Sequence, residues 1–184
     1  MINGQLSLFE PPRLTSTGLK INFEKGIDLS EVDLNTPEQN LLIKKGKYII
    51  HPSGETHPLG DKIKSLSGTD FPFIIAHHNH KTNILKPYFV SSMEYPRITL
   101  QTIEGKSFHI LFHKLVGRSF FKPPENMTWK DVDRFWVFHH DDGRTWDYRI
   151  KNLFLKTQKE NMELRAERMN NETFLKQAEL KGLF

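Results

Sequence analysis

The chain contains no cysteine. Disulfides and thiolate-held metals are therefore excluded, and any metal site must be built from His, Asp, Glu or Asn. No apolar run approaches the length that crosses a bilayer. No basic start leads into an apolar stretch, so a secretory signal is not expected and a cytoplasmic location is. Internal repeats are absent as well. What remains is a chain of 184 residues, 37% hydrophobic and 26% charged, long enough to bury a core.

Charge is unevenly spread. Residues 1–40 hold three Lys/Arg against six Asp/Glu, a net −3, so the remaining 144 residues carry +7. A basic body behind an acidic leader suits a polyanionic partner. Within the leader, Pro11-Pro12 and the polar run from Thr15 to Gly18 read as a flexible arm.

Strand signals begin at Tyr48-Ile49-Ile50 and recur at Phe71 to Ala76. Period-two alternation from Arg97, the turn Glu104-Gly105-Lys106 and the run from Phe108 to Phe112 predict a hairpin over 97–112. Apolar residues at 115, 116, 120 and 121 predict a helix from His113 to Phe121, ended by Pro123-Pro124. A short strand is expected at 135–139, a helical turn at Arg149 to Leu153, and helix from Thr157 onward. The class is α+β, strands first and helices last.

The stretch HHDDGRTWDYRIKNL, His139 to Leu153, concentrates the candidate chemistry. A neutral imidazole at a strand end can take a proton from water, and a nearby divalent ion can stabilise the charge that develops on a phosphodiester. Adjacent strand residues face opposite ways, so His139 and His140 are expected to divide the work. Asp141 and Asp142 before Gly143 suit a turn. Asn152 is a hard-ion ligand in one reading and a solvated surface residue or cap in the other.

This segment resembles the HNH nucleases (ββα-metal, or His-Me finger), in their phage homing-endonuclease branch. That branch reads as an apolar strand, Asn or Asp, His, any residue, Asp-Gly, Arg-x-x-Asn-Leu, a strand, and Thr-x-x-Glu-Asn. The matches are Phe138, His140, Asp142-Gly143, Arg149, Asn152-Leu153, Thr157 and Glu160-Asn161. Upstream, His113-Lys114-Leu115-Val116-Gly117-Arg118-Ser119-Phe120 is similar to the family's His-Arg-Leu-Val-Ala-x-x-Phe helix. Tyr48-Ile49-Ile50, Lys62-Ile63-Lys64-Ser65-Leu66, Ile84-Leu85-Lys86-Pro87 and the hairpin resemble its strand-rich DNA-binding module. The likeness covers roughly 45–161.

The resemblance implies an arm over 1–40, a DNA-binding module over 41–112, an HNH motif over 113–161 and a C-terminal helix over 162–184. It implies a Mg²⁺- or Mn²⁺-dependent endonuclease that nicks double-stranded DNA in a bacterial or phage-infected cell. His140 would be the general base, with Asn152 and His139 as metal ligands. Asp142, Asp147, Arg149 and His113 would support the loop and fold, and Lys44, Lys45, Lys47, Lys62, Lys64, Lys86 and Arg97 would contact DNA. Two positions depart from the pattern. Histidine replaces the usual Asp or Asn at 139, as in nuclease colicins, which favours softer ions. The family's central asparagine, which braces the histidine's loop, has no counterpart at Asp147-Tyr148, where Asp147 is the substitute acceptor. A catalytically silent DNA-binding protein is the alternative.

Two further clusters stand apart. His77, His78 and His80 read either as a metal site or as a polar loop, and His109 as structural. Gln5-Leu6-Ser7-Leu8-Phe9 resembles the pentapeptide that docks on the bacterial β sliding clamp, with Gln5, Leu6, Leu8 and Phe9 as the contacts. Pinning the arm onto the domain is the other reading of those residues.

Overall fold

The computed structural model describes residues 26–34, 43–53, 70–79, 81–91 and 94–180, with side chains described to 170. Gln5, Leu6, Leu8, Phe9, Lys62, Lys64 and His80 lie outside the described residues.

The fold is α+β, as expected, with eight strands in three small antiparallel sheets and three helices among the described residues. The first sheet runs β1 (Ile27–Asp28), β2 (Tyr48–His51), β3 (Phe73–His78), β4 (Lys81–Leu85), in that spatial order. A hairpin of β5 (Arg97–Gln101) and β6 (Ser107–Leu111) follows, then α1 (Phe112–Phe120) and α2 (Trp129–Phe135). The chain closes with β7 (Trp136–His140), β8 (Leu153–Thr157) and α3 (Gln158–Leu180).

The hairpin forms where alternation predicts it. Ile98, Leu100, Phe108 and Ile110 point inward and are buried, while the intervening positions are more open. The strand expected at Phe71 to Ala76 sits two residues later. β1, β4 and α2 lie outside the segments where strand or helix periodicity in the sequence predicts an element. β1 is two residues long and carries no pattern of its own. β4 begins with exposed Lys81, Thr82 and Asn83, and is a strand because β3 pairs with it from Ile74↔Leu85 to His78↔Lys81. α2 announces itself through a capping box, Thr128 with Asp131, over buried Trp129 and Val132.

One buried cluster spans the expected module boundary. Tyr48, Ile50 and Ile74 of the first sheet, with Leu29 in the helical turn after β1, pack with Leu100 and Phe108 of the hairpin, Leu115 and Phe120 of α1, and Tyr148 and Leu153 beyond it. The strand-rich part and the downstream part thus share a core rather than folding around separate ones. α1 reaches β7 through Gly117, where a Cβ would overlap the edge of the Phe138 ring. A second, smaller cluster joins Trp129 and Val132 to Phe138 and Leu155. Arg118 is a structural cation, bonded to the Asp33 carbonyl at 2.7 Å and paired with Asp133 at 2.5 Å. Among the described residues, no helix is long and apolar enough to cross a membrane.

Candidate active site

The last three elements form a strand, strand, helix unit. β7 and β8 pair from Trp136↔Thr157 to His140↔Leu153, and the loop between them closes with the Asp141 amide donating to the Asn152 carbonyl at 2.9 Å. α3 begins immediately after β8. Its start is fixed by Thr157 and Glu160: the Thr157 amide donates to Glu160 Oε2 at 2.8 Å, and the Glu160 amide to Thr157 Oγ1 at 3.2 Å. This reciprocal cap sets the helix phase, and so the direction of the next residue, Asn161. The boundary expected between 161 and 162 falls inside α3.

His139 and His140 divide as strand geometry requires. His139 faces α3, with its Nδ1 2.6 Å from Asn161 Oδ1 and its Nε2 3.4 Å from Arg168 Nη2. His140 faces α1. Its ring centre lies 5.0 Å from that of His113 and 5.7 Å from that of Tyr95, and Tyr95 in turn lies 4.8 Å from His113. The Nε2 of His140 and the Nδ1 of His113 are buried with no hydrogen-bond partner among the described residues. All of these side chains line one cleft of about 560 Å³, which Lys114 and Arg165 also border.

Burial dominates the electrostatics. It pushes His113 down to about 3, with nearby His140 and Lys114 adding to the effect. Burial lowers His140 to about 4, His139 contributing and Asp142 and Asp147 opposing. His139 is lowered too, by burial first, against the opposing Asn161 bond and Asp141 and with Arg168 and Lys156 adding to the lowering. The three imidazoles are therefore neutral near pH 7. His113 and His140 each keep a nitrogen without a hydrogen-bond partner among the described residues, whereas the Nε2 of His139 faces the Arg168 guanidinium and must leave it to bind an ion.

Asn152 occupies a different place from the one expected of a ligand. Its Oδ1 accepts from the Asp142 amide at 3.0 Å, and its Nδ2 donates to Asp142 Oδ1 at 3.0 Å and to the Asp147 carbonyl at 2.8 Å. Its buried amide is committed to bracing the loop. The resemblance implied a ligand at Asn152 and a substitute brace at Asp147; in the fold the side chain that braces the loop is that of Asn152. Asp147 instead accepts from Arg149 Nε at 2.7 Å, while Arg149 Nη1 reaches Asp70 at 2.7 Å. The residue that does stand beside His139 is Asn161. The signal for it was present in Thr-x-x-Glu-Asn, since a cap at Thr157 and Glu160 directs position 161.

Gly143 turns the loop with φ +74, and a Cβ there would strike the Arg168 guanidinium. Arg168 also donates to the Asp141 carbonyl at 2.5 Å. A cation is thereby held over the loop at the mouth of the cleft.

For a divalent ion, His139 and Asn161 offer one nitrogen and one oxygen. Among the described residues no group of three or more His, Cys, Asp or Glu converges. Such a two-ligand set suits an ion that keeps water and phosphate in its other positions.

The expected DNA contacts separate into two groups. Lys44, Lys45 and Lys47 line a groove of about 480 Å³ with His77, His78 and Lys81. Lys86 borders a different pocket, and Arg97 lies on β5 with a buried Nε lacking a partner among the described residues. His77 and His78 are exposed, β3 ends at His78, and Asn79 turns the chain with φ 42. His109 is held by Tyr88 at 2.6 Å and Thr99 at 3.0 Å, a structural arrangement.

Comparison with protein-family models, curated proteins and solved structures finds no match for this chain.

Proposed function

We propose that this protein is a divalent-metal-dependent DNA endonuclease of the HNH type, hydrolysing a phosphodiester and nicking one strand. The observation that carries the reading is the convergence of His139, His140, Asn161 and Arg168 in one cleft of a strand, strand, helix unit. His140, neutral and with an unpartnered Nε2, takes a proton from the water that attacks phosphorus. The P–O3′ bond breaks as the new P–O bond forms, and the 3′ oxygen leaves with a proton from solvent. His139 and Asn161 would hold the ion, which when bound supplies positive charge to the phosphate and the leaving oxygen. Arg168 adds a fixed positive charge at the same mouth, and Asn152 keeps the loop under His140 in shape.

A nitrogen ligand favours Mn²⁺ or a softer ion over Mg²⁺. The basic groove at Lys44, Lys45 and Lys47 would hold the duplex away from the cut. The test is plasmid nicking in Mg²⁺ or Mn²⁺ by wild type and His140→Ala. Nicking by wild type that the variant loses supports the assignment, and equal cleavage by both sinks it.

The low basicity of His140 favours one second reading, a DNA-binding protein that keeps the fold without cutting. It predicts salt-sensitive binding and intact plasmid with every divalent ion. Tethering to a bacterial sliding clamp through Gln5, Leu6, Leu8 and Phe9 is compatible with either. Deleting residues 1–10 would abolish clamp association, and unchanged association excludes the tether.

A further inference from the structure

We infer that the aromatic pocket beside the candidate active site receives an unstacked base of the DNA strand being cut, a role that rests on the nuclease reading above. The pocket is about 470 Å³, bordered by Phe71, Phe89, Pro96, Trp146, Tyr148 and Lys86. Two of its aromatics are open to solvent, Phe89 at 58% and Trp146 at 46% exposure. Large exposed aromatics at one concave spot are unusual on a folded domain and mark binding surfaces.

The chemistry of the lining selects the ligand. Phe71 and Trp146 are roughly parallel, with ring centres 6.5 Å apart and 21° between planes, and Tyr148 meets Phe71 edge-on at 5.1 Å. Cations stand over these rings: Arg144 lies 5.7 Å from the Trp146 centre and Arg149 5.2 Å from that of Phe71. Arg149 is already paired with Asp147 and Asp70, and Arg144 only loosely with Asp142, so Arg144 and Lys86 give this flat π surface its positive edge. A lipid tail or apolar peptide uses the rings and wastes the cations. A nucleotide uses both, its base on the rings and its phosphates at the rim.

Position says which nucleotide. The cleft holding His140 and this pocket share a wall, because consecutive residues open to opposite sides of it. Tyr95 and Thr145 line the cleft, while Pro96 and Trp146 line the pocket. The wall is pinned by Thr145 Oγ1 donating to the Glu94 carbonyl at 2.5 Å. A strand with its phosphate at His140 can therefore reach the pocket by crossing this wall. Unstacking a base there would also kink the duplex towards the cleft.

The test uses the full chain in EDTA with a short single-stranded oligodeoxynucleotide carrying 2-aminopurine, so cleavage plays no part in the readout. Binding should quench the 2-aminopurine, as stacking on an aromatic ring does. Trp146→Ala combined with Phe89→Ala should weaken binding about ten-fold or more, and Trp146→Phe should retain most of it. Both positions are exposed, so the variants keep the core. An oligonucleotide of abasic residues should bind wild type about as weakly as the normal one binds the double variant. Equal affinity for abasic and base-bearing strands overturns the inference. So does an alanine variant that binds DNA normally but loses self-association or capture of an apolar peptide. Nicking without quenching removes the pocket and leaves the nuclease; quenching without nicking does the reverse.

Discussion

Asn161, in the first turn of α3, brings its amide oxygen to 2.6 Å from Nδ1 of His139 on β7. Asn152, nine positions earlier, instead spends its amide on Asp142 and Asp147. The two asparagines therefore fail differently when removed. Asn161→Ala removes one hydrogen bond to buried His139, so it should destabilise the fold less than Asn152→Ala and raise the metal concentration needed for half-maximal nicking, with partial recovery at high Mn²⁺. Asn152→Ala abandons three hydrogen bonds in a buried loop and should cost about 1–3 kcal/mol of unfolding free energy, with no recovery from added metal. Denaturant melts and metal titrations of both variants separate the roles. The same response from both would undo the distinction.

Arg168 makes its own prediction. The guanidinium is held by the Asp141 carbonyl and lies over Gly143, where a phosphate entering the cleft would meet it. If it stabilises charge that develops on the phosphate, Arg168→Ala should lower kcat by about a hundred-fold at saturating metal. The metal concentration for half activity should barely move. A variant whose only change is in metal dependence would make Arg168 a partner of His139 rather than of the substrate.

Acid should destabilise the protein through its histidines. His113 is held at about 3 by burial, well below an unfolded value near 6.5. A lowered value means that the folded state binds fewer protons between those limits. The stabilisation from keeping His113 neutral is therefore complete above pH 6.5 and is lost as pH falls towards 3. His140, at about 4, acts in the same direction. Each histidine contributes a slope of about 1.4 kcal/mol per pH unit within the window. Denaturant melts in EDTA from pH 7 to 4.5 should show this fall, and His113→Phe should remove about one histidine's share. An unchanged slope in that variant would show that His113 does not titrate on unfolding.

Much of this arrangement is written locally in the chain. Alternation at Arg97 to Ile103 and at Phe108 to Phe112 marks the hairpin, and Gly143 marks the tight turn. The doublet His139-His140 on a strand forces one ring to each side. What sequence does not carry is the settlement between similar residues. Asn152 and Asn161 offer the same amide, and only the folded loop shows which one is consumed by it. β4 is polar at its start and is a strand only because β3 lies beside it. The shared wall between cleft and pocket depends on Thr145 meeting Glu94 from 51 residues away, a contact no local pattern announces.

The basic groove at the far end of the first sheet should govern affinity rather than cutting. Lys44, Lys45 and Lys47 stand at the turn entering β2, opposite His77, His78 and Lys81 of the β3–β4 hairpin. Among the described residues Lys45 is paired with exposed Glu31 at 3.9 Å, which contributes little. Each phosphate that a lysine neutralises steepens the plot of log affinity against log salt by about 0.9. Replacing Lys44, Lys45 and Lys47 together by alanine should therefore flatten that plot by about two to three. The single-turnover rate at saturating protein should stay near wild type, because none of the three lines the cleft at His140. A salt dependence identical to wild type would place the duplex elsewhere on the molecule. An unchanged salt dependence with a slower single turnover would instead mean that these lysines act on the cleft itself.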